Sequence, residues 1–140
     1  MNKTCLSLFV CASFLSSCAP MQNRILDTEE SGSQVQLRQI QSRVFDTSDR
    51  EKTLRTVIAT LQDLAFVVDK ADLMLGTVSA TKLDGYSMRM TVTARPRGKG
   101  QMVVRANAQL NTHPITDAAP YQSFFVALER SMFLAAHSVD

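Results

Sequence analysis

Two periodicities of apolar residues follow one another along this chain, and their order predicts its fold. From Leu54 to Leu64, large apolar side chains recur every three or four residues, the spacing of one helix face. Residues 88–94 and 102–110 alternate apolar and polar positions instead, as strands do when one face is buried. A second helical stripe runs from Tyr121 to Ala135. We therefore expect two helices, with consecutive strands between them.

Shorter segments extend this pattern. β-forming residues centred on 38–44 predict a first strand, and residues 66–69 and 76–82 predict two more. Ser48 followed by Glu51 indicates a capping box at the start of the first helix, and Asp84-Gly85 is typical of a hairpin turn. The predicted order is β-α-β-β-β-β-α. It indicates an α+β fold in which an antiparallel sheet of four to five strands carries both helices on its apolar face.

The first residues have the layout of a lipoprotein export signal. Lys3 is basic, residues 5–15 form a short apolar run, and small Ser16 and Ser17 precede Cys18. A run of this length is too short to span a bilayer and matches a cleaved signal. A cysteine after two small residues is what bacterial lipoprotein processing requires. We predict a signal peptide over residues 1–17 and acylation of Cys18, for example with palmitate.

The alternative is an ordinary secretory signal, which would release a soluble periplasmic protein. Cys18 would then be an unpaired thiol in an oxidising compartment, which disfavours this interpretation. Ala19 follows Cys18, where aspartate would favour retention in the inner membrane. The expected location is therefore the outer membrane, with the domain facing the periplasm.

The remaining chain divides into a linker and one domain. Residues 18–33 comprise the lipidated cysteine and a polar segment without sustained periodicity, which predicts a flexible tether. Residues 34–140 are predicted to form a single α+β periplasmic domain. Subtracting 17 signal residues from 140 leaves 123, enough for one domain with a proper core.

Composition argues against most chemistry. All three cysteines (Cys5, Cys11 and Cys18) lie in the signal or at its cleavage site, so the mature domain would have no thiol. Neither His113 nor His137 belongs to a metal-ligand pattern, and no phosphate-binding loop or nucleophile motif occurs. We predict no enzymatic activity, no cofactor and no metal. The net charge of +2 disfavours a general affinity for nucleic acid.

One basic cluster has two interpretations. Arg89, Arg95 and Arg105 are predicted on the outward face of neighbouring strands, and Arg97 and Lys99 at their hairpin. Such a set can simply keep a sheet face solvated and unaggregated. The functional hypothesis is a candidate surface for an anionic partner, such as lipid headgroups, lipopolysaccharide phosphates or an acidic protein patch.

Three methionines are predicted on the inner face of the sheet: Met88, Met90 and Met102. Methionine fills irregular cores, and it also adapts to varied ligands. An alternative function is therefore a binding module for a lipid or small apolar ligand, held between the sheet and the helices.

Three segments resemble small bacterial envelope lipoproteins of uncharacterised function. They are Arg43-Val44-Phe45-Asp46-Thr47, the run from Val57 to Asp69 (VIATLQDLAFVVD), and Leu75 to Lys82 (LGTVSATK). Many of those proteins share Leu-Gln-Asp-Leu-Gly-Phe, where this chain has Ala65 in place of the glycine. The domain layout is similar to the helix-grip domains of BamC, a lipoprotein subunit of the β-barrel assembly machine, although with one domain rather than two. The resemblance implies no catalytic residue. The lipid address, the tether, the small α+β domain and the lack of reactive groups favour a non-catalytic accessory or scaffold subunit that binds another component of the cell envelope.

Overall fold

The structure is a computed structural model that describes residues 26–137 of the chain. The predicted signal peptide, Cys18 and the first part of the tether lie outside the described residues. Within the described range the elements are α1 (Leu26–Ile40), β1 (Ser42–Phe45), α2 (Arg50–Asp63), β2 (Val67–Asp72), β3 (Thr77–Leu83), β4 (Ser87–Arg97), β5 (Gln101–Leu110), β6 (His113–Pro114) and α3 (Ala119–His137). The predicted α+β class with an antiparallel sheet is confirmed.

The sheet is antiparallel and places its two longest strands at its centre. Its order is β1-β5-β4-β3-β2, and the two-residue β6 pairs with the end of β5. β4 and β5 pair from Met88 opposite Leu110 to Arg97 opposite Gln101. The β2–β3 turn and the β4–β5 hairpin therefore lie at the same end of the sheet.

The core lies between one sheet face and helices α2 and α3, as predicted. Alternate residues of β3, β4 and β5 are buried there: Val78, Ala80, Met90, Val92, Ala94, Met102, Val104, Ala106 and Ala108. From the helices, Leu54, Val57 and Leu61 of α2 and four residues of α3 are buried against them. The α3 residues include Phe124 and Phe125, whose rings meet edge to face with centroids 5.1 Å apart. Each such side chain contributes about 1.5–3 kcal/mol on burial.

The N-terminal part of the fold differs from the prediction. The tether predicted over residues 18–33 was expected to lack regular structure, but its last eight residues, from Leu26, belong to α1. The strand predicted around residues 38–44 begins only at Ser42. Val35 and Leu37 alternate like strand residues, yet Leu37 and Ile40 are the half-buried pair, at the spacing of one helix face. A helix is thus compatible with the same few apolar positions.

The start of α2 is displaced by one residue from the predicted capping box. Asp49, not Ser48, is the N-cap, and the backbone N–H of Lys52 donates to Asp49 Oδ1 at 2.8 Å. Thr47 Oγ1 in turn accepts from the N–H of Asp49 at 3.2 Å. An aspartate at this position also offers negative charge to the positive end of the helix dipole.

The second strand is longer than predicted. It runs over Val67–Asp72, so residues 70–72, which follow the predicted strand at 66–69, are also paired with β3. The register shifts between Val68 and Lys70. This irregularity inserts one residue, so the regular alternation of side chains between the two faces is interrupted within β2.

Candidate functional site

The sheet face away from α2 and α3, which we call the open face, is polar at its centre, while Val44 and Val67 are exposed on its outer strands. Its central residues are threonines and serine, and none of them is buried. Ser79 Oγ and Thr91 Oγ1 lie 3.4 Å apart across β3 and β4, and Thr81 Oγ1 donates to Asp69 Oδ2 at 2.7 Å. Polar side-chain pairs between neighbouring strands stabilise the sheet and keep this face hydrated.

The predicted basic residues lie on or beside the open face but do not form one cluster. Arg95 lies opposite Val103 and Arg105 opposite Thr93, so these two cations are diagonal neighbours. Arg89 is six residues from Arg95 on the same strand, roughly 20 Å away at the usual rise per residue. Arg97 and Lys99 are exposed at the β4–β5 hairpin. The basic set is therefore concentrated at the hairpin end, with Arg89 at the other.

Arg105 also belongs to a hydrogen-bonded network that the sequence analysis missed. Its guanidinium donates to Gln41 Oε1 at 3.3 Å, and Gln41 Nε2 donates to the hydroxyl of Tyr121 at 3.2 Å. That hydroxyl donates to the carbonyl of Ile115 at 2.7 Å and accepts from the N–H of Ala108 at 3.2 Å. Tyr121 thereby joins α3, β5 and the segment before α3. Its place in an apolar helical stripe gave no signal of this role.

An apolar cleft of about 260 Å³ opens between the sheet and the beginning of α3. Its walls are Leu64, Phe66, Tyr86, Met88, Met90 and Pro120, and Lys82 lies at its edge. Lys82 Nζ is 6.0 Å from the centre of the Phe66 ring, a cation–π distance. Two of the predicted inner-face methionines thus line a cleft, whereas Met102 is fully buried in the core. The volume lies just below the range of about 300–1,000 Å³ that is usual for small-molecule pockets, so the cleft could hold only a small apolar group.

A second cleft, of about 500 Å³, lies at the hairpin end of the sheet. Arg50 and Arg95 border it together with Met74, Leu75 and Pro96. Residues 73–75 form most of the β2–β3 turn and are all large and exposed. No sequence pattern distinguishes this turn, because its neighbours in space are set by the strand register.

Neither a metal cluster nor a membrane-spanning helix is found among the described residues. No group of three histidine, cysteine or acidic side chains within the described range could hold a metal ion. The buried side-chain polar atoms in that range all have a hydrogen-bond partner. None of the described helices has both the length and the apolar character needed to cross a membrane.

None of the protein-family models matches this chain. No curated protein matches it in sequence.

Proposed function

We propose that this protein is an outer-membrane-anchored lipoprotein that acts without catalysis, as an accessory or scaffold subunit that binds another component of the cell envelope. The observation that carries the proposal is the sequence Ser16-Ser17-Cys18 after a short apolar run. The small α+β domain, its polar open face and its concentrated basic end support a binding role. The resemblance in layout to BamC domains supports the same class of function.

The spacing between the anchor and the fold would keep the domain near the bilayer. Only seven residues, 19–25, lie between Cys18 and Leu26. The eight Cα–Cα steps from Cys18 to Leu26 can span at most about 28 Å when fully extended. Acyl chains on Cys18 would supply the binding energy, since each buried CH₂ contributes about 0.8 kcal/mol and several chains together hold firmly.

The anchor is tested by labelling growing cells with radioactive palmitate. We expect label in the wild type. We also expect it in the control Cys11→Ser, which lacks a different cysteine of the predicted signal region. Cys18→Ser should take up no label and should accumulate as the uncleaved precursor. Normal processing and membrane sedimentation of Cys18→Ser would contradict the proposal.

The binding role is tested by affinity capture from detergent-solubilised envelopes. We expect a stoichiometric protein to co-purify with the wild type. A variant with Arg89, Arg95 and Arg105 all replaced by Gln should lose it, because these cations share the open face. The control variant carries the same replacement by Gln at three exposed cations on helices: Arg38, Lys52 and Arg130. This variant should still capture the partner. Equal capture by both variants would exclude these three cations of the open face as the partner surface.

The second candidate function is a binding module for a lipid or small apolar ligand, and the apolar cleft beside α3 favours it. Ser123 lines this cleft, whereas its neighbour Gln122 does not, and both are exposed. If the cleft holds a ligand, mass spectrometry of the native protein should detect it. Ser123→Leu should then expel the ligand, while Gln122→Leu retains it. A wild-type protein that carries no small molecule would contradict this function.

A further inference from the structure

Three consecutive large apolar residues protrude from the β2–β3 turn. Leu73 is 45% exposed, Met74 85% and Leu75 68%. Single exposed apolar residues are common on protein surfaces, but an exposed run at one protruding turn is typical of a contact site. We call residues 73–75 the tip.

The tip is held in a defined conformation. The N–H of Leu75 donates to Asp72 Oδ1 at 2.8 Å, which closes the turn. Gly76 follows with φ of +69°, and its carbonyl accepts from the N–H of Ala94 on β4 at 2.8 Å. The apolar side chains are therefore presented by a turn that is fixed to the sheet, so little conformational entropy would be lost on contact.

Cations surround the tip. Arg50 and Arg95 border the same cleft as Met74 and Leu75, and an added Cβ on Gly76 would lie 3.6 Å from Arg50 Cδ. Arg97 and Lys99, on the β4–β5 hairpin, lie at the same end of the sheet. None of the carboxylates in the described part of the chain forms an ion pair with Arg50 or Arg95.

The acidic residues at this end already have hydrogen-bond partners. Asp72 accepts from the tip itself, Asp49 caps α2, and Asp46 Oδ1 accepts from Gln101 Nε2 at 2.9 Å. The guanidinium groups beside the tip therefore remain available to an external anion.

We propose that this end of the domain docks on a bilayer surface that contains anionic phospholipid. Met74 and Leu75 enter the interfacial region, while Arg50 and Arg95 bind lipid phosphate in the cleft beside them. Apolar side chains flanked by basic ones are the combination that interfacial binding requires, because burial and attraction to anionic headgroups add. A protruding apolar turn fits a fluid surface better than it fits the complementary hollow that a protein partner would need.

The experiment uses tryptophan fluorescence, because the chain contains no tryptophan. Met74→Trp places one reporter at the tip. Leu83→Trp is the matched control, since Leu83 is 80% exposed at the β3–β4 hairpin, at the opposite end of the sheet. Each full-length variant is reconstituted in phosphatidylcholine vesicles with and without phosphatidylglycerol, some containing brominated lipid as a quencher.

We expect the Met74→Trp emission to shift to shorter wavelength and to be quenched in the phosphatidylglycerol vesicles, while Leu83→Trp does neither. Adding Arg50→Gln and Arg95→Gln to Met74→Trp should lower the ratio of docked to undocked protein about 25-fold, or roughly five-fold for each cation. Equal spectra for the two reporters would overturn the proposal. So would a shift that is as large in pure phosphatidylcholine, or one that survives loss of both arginines.

This inference goes beyond the proposed function and does not rest on it. Acylation of Cys18 is read from sedimentation and palmitate uptake, whereas docking of the tip is read from the reporter's emission. The two measurements therefore distinguish a chain that is acylated but does not dock its tip from one that docks its tip without being acylated.

Discussion

A single alanine ends α2 in a conformation that usually requires glycine. Ala65 has φ of +64°, the N–H of Phe66 donates to the carbonyl of Leu61, and the N–H of Ala65 donates to that of Gln62. These are the bonds of a Schellman motif, with Phe66 and Leu61 both buried in the core. Helix α2 therefore ends in the motif that a glycine at position 65 would have predicted, although the residue there is alanine.

This residue gives the first prediction. A left-handed conformation costs a residue with a Cβ about 1–2 kcal/mol, part of which is offset because alanine also restricts the unfolded chain. We expect Ala65→Gly to raise the free energy of unfolding by about 0.5–1 kcal/mol, measured from urea denaturation. Ala59→Gly, at an exposed interior position of the same helix, should lower it by about 1 kcal/mol. A lower stability of Ala65→Gly would contradict this account.

Gly76 gives the second prediction, because it combines a positive φ with a close approach. A Cβ there would lie 2.6 Å from the carbonyl oxygen of Ala94, which is backbone and cannot move aside. Gly85 has nearly the same φ, +70° against +69°, but no atom lies within 4 Å of its added Cβ. Gly85→Ala should cost about 1–2 kcal/mol of unfolding free energy and Gly76→Ala clearly more. Equal unfolding midpoints would show that β4 adjusts without cost.

At the scale of elements, the exposed edge of β5 is completed by groups that are not strands. β1 pairs with residues 102–105 and β6 with residues 109–110, which leaves a gap between them. The carbonyl of Gln41 accepts from the N–H of Ala106 at 2.9 Å, and the hydroxyl of Tyr121 accepts from that of Ala108. A helix and the residue before β1 therefore satisfy the sheet edge, which also prevents pairing with another chain there.

The third prediction follows from this edge. Tyr121→Phe should lower the free energy of unfolding by about 1–3 kcal/mol, because the N–H of Ala108 and the carbonyl of Ile115 lose their partner. Tyr86→Phe is the control, since Tyr86 is 45% exposed and the chain has only these two tyrosines. Thermal denaturation of both variants measures the difference. A neutral Tyr121→Phe would mean that water replaces the hydroxyl.

The elements that the sequence predicted well are those with many regularly spaced apolar positions. β4 alternates from Met88 to Ala94, and α2 carries its stripe over three turns, so their type and buried face follow from periodicity alone. α1 has few apolar positions, and the same residues fit a strand or a helix. The tip and both clefts depend on strand register and helix placement, which local patterns do not specify. Arg50 and Arg95 are 45 residues apart in the chain, so no sequence pattern could associate them.

At the scale of the whole molecule, α1 differs from the other two helices. α2 and α3 bury a continuous face in the core, whereas α1 has only Leu37 and Ile40 half-buried among its residues from Ser33 onward. It also contains Gly32, which costs about 1 kcal/mol relative to alanine inside a helix. Since α1 stands between the predicted anchor and the sheet, its stability would decide how far the domain can move from the bilayer.

This contrast gives the last prediction, which hydrogen exchange with mass spectrometry can check on the full-length chain. We expect the amides of residues 33–36 in α1 to exchange through a local opening that requires much less free energy than global unfolding, because these residues are exposed. α2 is the internal control, since it is one residue shorter than α1 and its amides should exchange only through global opening. Mild denaturant should leave exchange in α1 unchanged and accelerate exchange in α2. The reason is that global opening exposes the core to denaturant, whereas local opening of α1 does not. If α1 were as protected as α2, it would be part of the cooperative domain. In that case α1 would stay folded, and the sheet would be held at a fixed distance from the bilayer.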